Sequence, residues 1–461
     1  MRRPWTRGWA AGLSALALAA CGGAKQNNPP KTVSNKDAGE ISGSEPYDGS
    51  VPLPRQDAGA QTIPPGKPET GLSGNCAVDS NKIYTVAERE QPFTNTPLAV
   101  DRDNSRFMMP FVATGDCLDT VHMASLMGAA TGGKPADSVA LETCALVKYT
   151  AATALRDRWL VADTDNREAP YDVWVTPYQE STGLTLDSQR ATEDSQIETA
   201  LALSTLSDGD SALLAYASEP ENGGQTLYVR PLSNTGSPAG NPVEIDTSKD
   251  GTQLYFTNLA MKPLGQGAGL VYVRYSLDYK TSDIVFIVLD AQGNVLRPAW
   301  VLAGNAGPSP SVDLTLDADG GGIVYSRAEA MTGRQVWFQL LDAAGQAALL
   351  RTGTTRSPAQ RIVTSPARGI DVSITQLRAS FVVGYRALPQ TEDGRALIRA
   401  YFLDRNGAVV GSSDVSYTSL GGGRTNAQAA TDGRVVVAWN ELNDDGGSAL
   451  KVVRLPCVGG Q

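Results

Sequence analysis

A block of strands and turns recurs along this chain at steps near 54 residues, and that period limits the fold more than any other feature. Its clearest copy is residues 321–350, GGIVYSRAEAMTGRQVWFQLLDAAGQAALL. Gly322–Arg327 (GIVYSR) and Gln335–Leu341 (QVWFQLL) are β-branched and aromatic runs of strand length. Asp342–Gly345 (DAAG) lies between apolar runs and reads as a hairpin turn, because glycine accepts the positive φ such turns need. A further strand is expected directly after it. Upstream, Ser311–Leu316 (SVDLTL) alternates apolar and polar residues, and Asp319-Gly320 turns the chain. The block is therefore four antiparallel strands, A to D. A lone four-stranded sheet cannot cover both faces and needs neighbours of its own kind.

Two sets of landmarks carry the count. Strand B holds Tyr216, Tyr272, Tyr325, Tyr385 and Trp439, at steps of 56, 53, 60 and 54 residues. Counting backwards by 54 reaches Ala162 (in RWLVADT) and Met108 (in RFMMPFVAT). The C–D turn glycines are Gly183, Gly236, Gly293, Gly345 and Gly407. A four-stranded unit with this period resembles the blade of a β-propeller, and the count implies an all-β fold of seven blades over residues 76–461. Six or eight blades stay open, because the two earliest copies carry poor turn and aromatic signals. A stack of sandwich domains is the alternative. Against it, strand order is the same in every unit and no linker interrupts 80–457.

The last unit has strand B (Val435–Glu441) and strand C (Leu450–Leu455) and then stops without a strand D. A spare strand, Lys82–Val86 (KIYTV), precedes the first unit near Pro97–Asp101. The expectation is that this N-terminal strand completes the last blade and removes the open edge between chain ends. Four cysteines follow Cys21, an even number that admits three pairings. Cys76 and Cys457 both fall where a C–D turn would be, so a bridge between them would replace that turn covalently. Cys117, in the first B–C loop, and Cys144, placed near the start of the second strand A, form the other expected pair.

At the N-terminus, Arg2, Arg3 and Arg7 precede an apolar run from Ala10 to Ala20. The run is too short to span a membrane and fits a signal peptide over 1–20. It ends Leu18-Ala19-Ala20-Cys21, which resembles the lipobox of bacterial lipoproteins. The resemblance implies cleavage before Cys21, lipid (palmitate) on Cys21, and stable anchoring by three acyl chains on that one residue. Gly22 rather than Asp after Cys21 implies the outer membrane, facing periplasm or cell surface. Residues 22–75 are rich in Gly, Pro, Ser, Asn and Asp. Such composition does not repay the entropy of ordering, so residues 21–75 read as a lipidated, disordered tether reaching about 40 Å.

The formal charge is −10, and losing three arginines with the signal peptide makes it more negative. That argues against nucleic acid as a partner. His122, the only histidine, lies in a predicted strand, so no histidine-based triad or zinc site is readable. The B–C loops are acidic, with Asp163, Asp165, Glu219, Asp278, Glu329, Asp393, Glu441 and Asp444 among their residues. If the units form a ring, these acids rim one face together, where they would attract Ca²⁺ or a basic partner. Arg274, Arg327 and Arg386 follow the strand B aromatic closely. By residue type they are similar to the carboxylate-holding arginines of sialidases, but the Asp-box motif of those enzymes is absent.

These observations imply an envelope-anchored lipoprotein whose body is expected to be a monomeric binding or scaffold module for a protein or glycan, with no required cofactor. Two alternatives stay open. One is a propeller-type carbohydrate-active enzyme using paired carboxylates, for which no particular pair is readable. The other is a structural subunit of an envelope secretion or motility complex. Fold alone does not choose among them.

Overall fold

The structure is a computed structural model. It describes residues 78–455 except 79, 90–96, 102–104, 115–118, 131–134, 136–137, 169–170, 194–195, 221–222, 248–253, 277–280, 330–332, 349–356, 364–367, 378–379, 389–394, 419–424 and 443–446. The signal-peptide and tether expectations, and Cys21, Cys76, Cys117 and Cys457, lie outside the described residues.

Strands succeed one another with almost no helix. After β1 (Tyr84–Arg89), the first blade is β2 (Ala99–Asp101), β3 (Arg106–Thr114), β4 (Asp119–Ser125) and β5 (Ser138–Ala145). The second is β6 (Val147–Ala154), β7 (Trp159–Asp165), β8 (Asp172–Gln179) and β10 (Gln189–Arg190), with the short β9 (Leu184–Thr185) also on β8. The third is β11 (Ile197–Thr205), β12 (Ala212–Glu219), β13 (Thr226–Leu232) and β14 (Val243–Thr247). The fourth is β15 (Leu254–Leu264), β16 (Gly267–Ser276), β17 (Ser282–Leu289) and β18 (Trp300–Ala303). The fifth is β19 (Val312–Asp317), β20 (Gly320–Glu329), β21 (Gly333–Asp342) and β22 (Gln360–Arg361). The sixth is β23 (Arg368–Leu377), β24 (Ser380–Leu388), β25 (Ala396–Leu403) and β26 (Val409–Thr418). The seventh takes β27 (Thr425–Ala429), β28 (Val435–Leu442) and β29 (Ser448–Arg454) from the C-terminus. Its fourth strand is β1, antiparallel to β29 with Tyr84 opposite Val452 and Arg89 opposite Ser448. The fold is a seven-bladed β-propeller, closed by the N-terminal strand as its sequence predicts.

The core sits between blades rather than inside any of them. Seven apolar clusters each join two neighbouring blades, one cluster per seam. The seam between the last and first blades joins Val436, Ala438 and Val452 to Phe107 and Met109, with Tyr84 and Val86 of β1 packed against it. Strands B and C thus bury both faces, which is why β7 and β12 are buried along nearly their whole length. A strand packed on both sides reads as a continuous apolar run instead of an alternation.

The C–D turn glycines all adopt the left-handed conformation, from φ +68° at Gly183 to +85° at Gly407. Most also touch the preceding blade. A Cβ on Gly236 would lie 2.7 Å from Val175 of β8, and one on Gly293 would lie 2.9 Å from Val229 of β13. Gly183 alone of the five has open space around it.

Three sequence expectations change. In the fifth blade the strand expected straight after the turn is a single bridge, Leu341 to Ala347, and the outer strand β22 comes later. An outer strand has one neighbour and open water beyond, so little selects for length there. In the second blade, Asp163 lies opposite Thr150, as Tyr325 lies opposite Val312 and Trp439 opposite Thr425. The counterpart of the aromatic column is therefore Asp163 and not Ala162, because unequal loops defeat a fixed step of 54. Cys144 belongs to β5, the last strand of the first blade, and not to the second strand A.

Candidate functional site

The innermost strands β2, β6, β11, β15, β19, β23 and β27 surround an axial channel. At the A–B turn end it widens to a cavity of about 490 Å³ lined by residues of all seven, among them Asp101, Thr153, Thr205, Lys262, Thr315 and Gln428. At the other end a space of about 150 Å³ shares the walls at Ala152, Met261 and Lys262.

An innermost strand has a free edge, whose N–H groups must find acceptors. Side chains of the preceding blade supply them. Ser311 Oγ accepts from Val372 N at 3.2 Å, Asp313 Oδ2 from Ile374 N at 2.9 Å, and Thr315 Oγ1 from Gln376 N at 3.1 Å. Thr375 Oγ1 accepts from Ala429 N at 2.8 Å, and Thr153 Oγ1 from Thr205 N at 3.0 Å. The alternation in SVDLTL has this purpose: apolar residues pack the seam and polar ones tie the next blade. At the B–C end, Gln225 bridges two blades. It accepts from Phe256 N at 2.7 Å and donates to Thr199 Oγ1 at 3.0 Å. Bulges there hold Ala200 at φ +53° and Asn258 at φ +53°, a conformation costing a side-chain-bearing residue about 1–2 kcal/mol.

Most of the described acids and arginines expected on the B–C face meet other side chains, not one another. Arg167 Nε donates to Asp165 Oδ2 at 2.7 Å and its Nη2 to Asp163 Oδ2 at 3.2 Å, with the guanidinium 4.4 Å over the Trp174 ring. Asp163 and Asp165 are both buried. Burial first, then the neighbouring Asp165 carboxyl, pushes Asp163 well above the usual carboxylate range, and Arg167 opposes this only in part. Glu219 accepts from Gln225 Nε2 at 3.1 Å. Arg274 ties two blades, reaching Asp246 of β14 at 3.1 Å and Asp283 of β17 at 2.9 Å. Tyr272 donates to the same Asp246 at 2.9 Å, and burial with that carboxylate raises the phenol far above its ordinary value. Arg327 lies 5.6 Å from the Trp337 ring, Glu329 lies 3.8 Å from Arg361, and Arg386 pairs with Asp371 at 2.8 Å. Glu441 is half-buried near the end of β28. Asp278, Asp393 and Asp444 lie outside the described residues. His122 stacks on Phe111 at 5.3 Å, with its Nδ1 3.2 Å from Ser138 Oγ, and burial lowers its pKa from the ordinary 6.5.

Sequence reasoning missed a cluster between the first two blades. Arg106 contacts Asp101 and reaches Glu180 at 3.4 Å, while Glu180 also accepts from Ser125 at 3.2 Å and Trp159 Nε1 at 3.3 Å. Its members are up to 79 residues apart in sequence, so no local pattern announces it. The channel threonines were legible in principle, as polar positions alternating inside strand A.

No family model matches the chain, and no curated protein does. Solved structures do. The α-L-arabinanase of Penicillium chrysogenum, complexed with arabinobiose, superposes with a TM-score of 0.49 at 10% identity, over 82% of this chain and 98% of that one. A protein of unknown function from Dyadobacter fermentans gives 0.45 at 11% identity, over 84% and 100%. The subtype N10 neuraminidase-like protein of A/little yellow-shouldered bat/Guatemala/060/2010 gives 0.40 at 11%, over 82% and 99%. At these values nothing about the chemistry of this chain follows from them.

Proposed function

We propose that this chain is an outer-membrane lipoprotein, held through lipid on Cys21, that presents its propeller on a tether as a binding module for a glycan or protein partner. The observation that carries the binding reading is the axial cavity. It is concave, within the roughly 300–1,000 Å³ range of small-molecule sites, and walled by strands that are pinned to one another. A preformed site of this kind gives up little entropy on binding. The Cys21 pattern supports the anchoring.

The test has two parts. Cys21→Ala should move the protein from the membrane to the soluble fraction and abolish incorporation of labelled palmitate. Retention of both would overturn the anchor. Pull-down of the full chain from solubilised envelope, alongside a glycan-binding screen, should return a saturable partner. If neither returns one, the binding reading falls.

A further inference from the structure

The hydroxyls that tie neighbouring blades have one proton left over. A threonine oxygen that accepts a backbone N–H still carries its own O–H, which needs an acceptor of its own. Thr153, Thr315 and Thr375 are each in this position, and all three border the 490 Å³ cavity. Thr315 and Thr375 are buried, so an acceptor for those protons has to sit inside the cavity. At the far end of the channel Thr425 is buried at 2% exposure and its hydroxyl has no hydrogen-bond partner among the described residues. Hydroxyl donors from separate blades therefore border one axial cavity, each without an acceptor among the described residues.

The charges along the wall narrow the class of ligand. Asp101, Asp208 and Asp317 border the cavity, against Arg156 and Lys262, and Asp101 is already paired with Arg106. Arg156 is itself paired with Asp210 at 3.1 Å. Carboxylates accept hydrogen bonds and hydroxyls donate them, which suits a ligand that does both through many small groups. The excess of acid repels an anionic one. An apolar ligand would leave these polar groups unpaired.

We infer that the axial cavity, entered from the A–B turn face, binds a neutral polyhydroxylated ligand, the end of an uncharged saccharide chain. This rests on the binding-module reading above and adds a place and a chemistry to it. The place differs from the acidic B–C rim, where most of the described charges already meet partners.

The probe is an array of neutral oligosaccharides printed beside sialylated and uronic-acid-containing ones, read with the full-length chain in detergent, with each hit titrated by calorimetry. Neutral oligosaccharides should bind. Ala152→Trp, which places a large ring in the channel, should abolish binding. Thr153→Val should weaken it about tenfold while Thr153→Ser retains it, which separates a lost hydroxyl from a disturbed strand. The threonine pair decides the matter if the tryptophan variant does not fold. Preference for the acidic oligosaccharides would overturn the inference, and so would neutral binding unchanged in the Thr153→Val protein. Should no oligosaccharide bind while envelope pull-down yields a protein partner, the inference falls and the binding-module reading stands. If both fail, both fall.

Discussion

The fifth and seventh blades solve one problem in different ways. The fifth is contiguous in sequence, and its outer strand β22 pairs with β21 at only two positions, Gln360 and Arg361. The seventh is assembled from both chain ends, and its outer strand β1 pairs with β29 at five positions. Lys451 Nζ also donates to Thr85 Oγ1 at 2.8 Å, and Arg89 Nη1 donates to Val112 O of the first blade at 3.3 Å. Where the chain runs on into the next blade, connectivity helps to hold the outer strand, and the paired positions range from two in the fifth blade to eight in the sixth. Where it does not, backbone pairing and burial have to hold the ring shut, since loop closure between distant chain ends carries an entropic cost.

The largest expected effect comes from removing the closure. Deleting residues 78–89 strips Tyr84, Val86 and Ala87 from the last seam, which by buried apolar area alone costs about 3 kcal/mol, before any backbone bond is counted. Thermal unfolding should shift down sharply and lose cooperativity. Arg361→Ala in β22 touches an exposed-edge pair at 3.8 Å and should change stability by less than about 1 kcal/mol. Equal losses would erase the distinction between the two blades.

Turn glycines sharpen the contrast between a seam and a free surface. Gly236→Ala meets both a left-handed backbone and Val175 at 2.7 Å, and should cost about 2–4 kcal/mol. Gly183→Ala meets only the backbone term and should cost about 1 kcal/mol. Denaturant midpoints of the two variants compare them directly, and identical shifts would mean that the seam contact adds nothing.

The smallest effect is in the second blade, where Asp163 occupies the position that Trp439 fills in the seventh. Its folded-state pKa is raised, so the fold holds this proton more tightly than the unfolded chain does. The associated stability is complete below the ordinary 3.8 and declines as pH rises through the raised value. Asp163→Asn should therefore raise the melting temperature at pH 7 and make no difference at pH 3. A lower melting temperature at pH 7 would show that the Arg167 pair outweighs the burial of the charge.

Much of the architecture is readable in advance from particular residues. Tyr216 to Trp439 mark strand B because a strand buried on both faces needs large apolar side chains. Gly183 to Gly407 mark the C–D turns because a left-handed φ favours glycine. The orphan strand near Tyr84 follows from counting strands in the last unit. What could not be read is how charges pair. Arg274 finds Asp246 in another blade, and Glu180 finds Arg106 74 residues away, by contacts that no local pattern encodes.

By itself the amino-acid order determined the repeat, the turn positions and the strand that closes the ring, because these follow from backbone sterics and from the period of burial along one strand. Only the tertiary structure decided which polar groups are left with something to donate. That depends on edges brought side by side from separate blades, where one threonine oxygen satisfies a neighbour's N–H and keeps its own proton to donate.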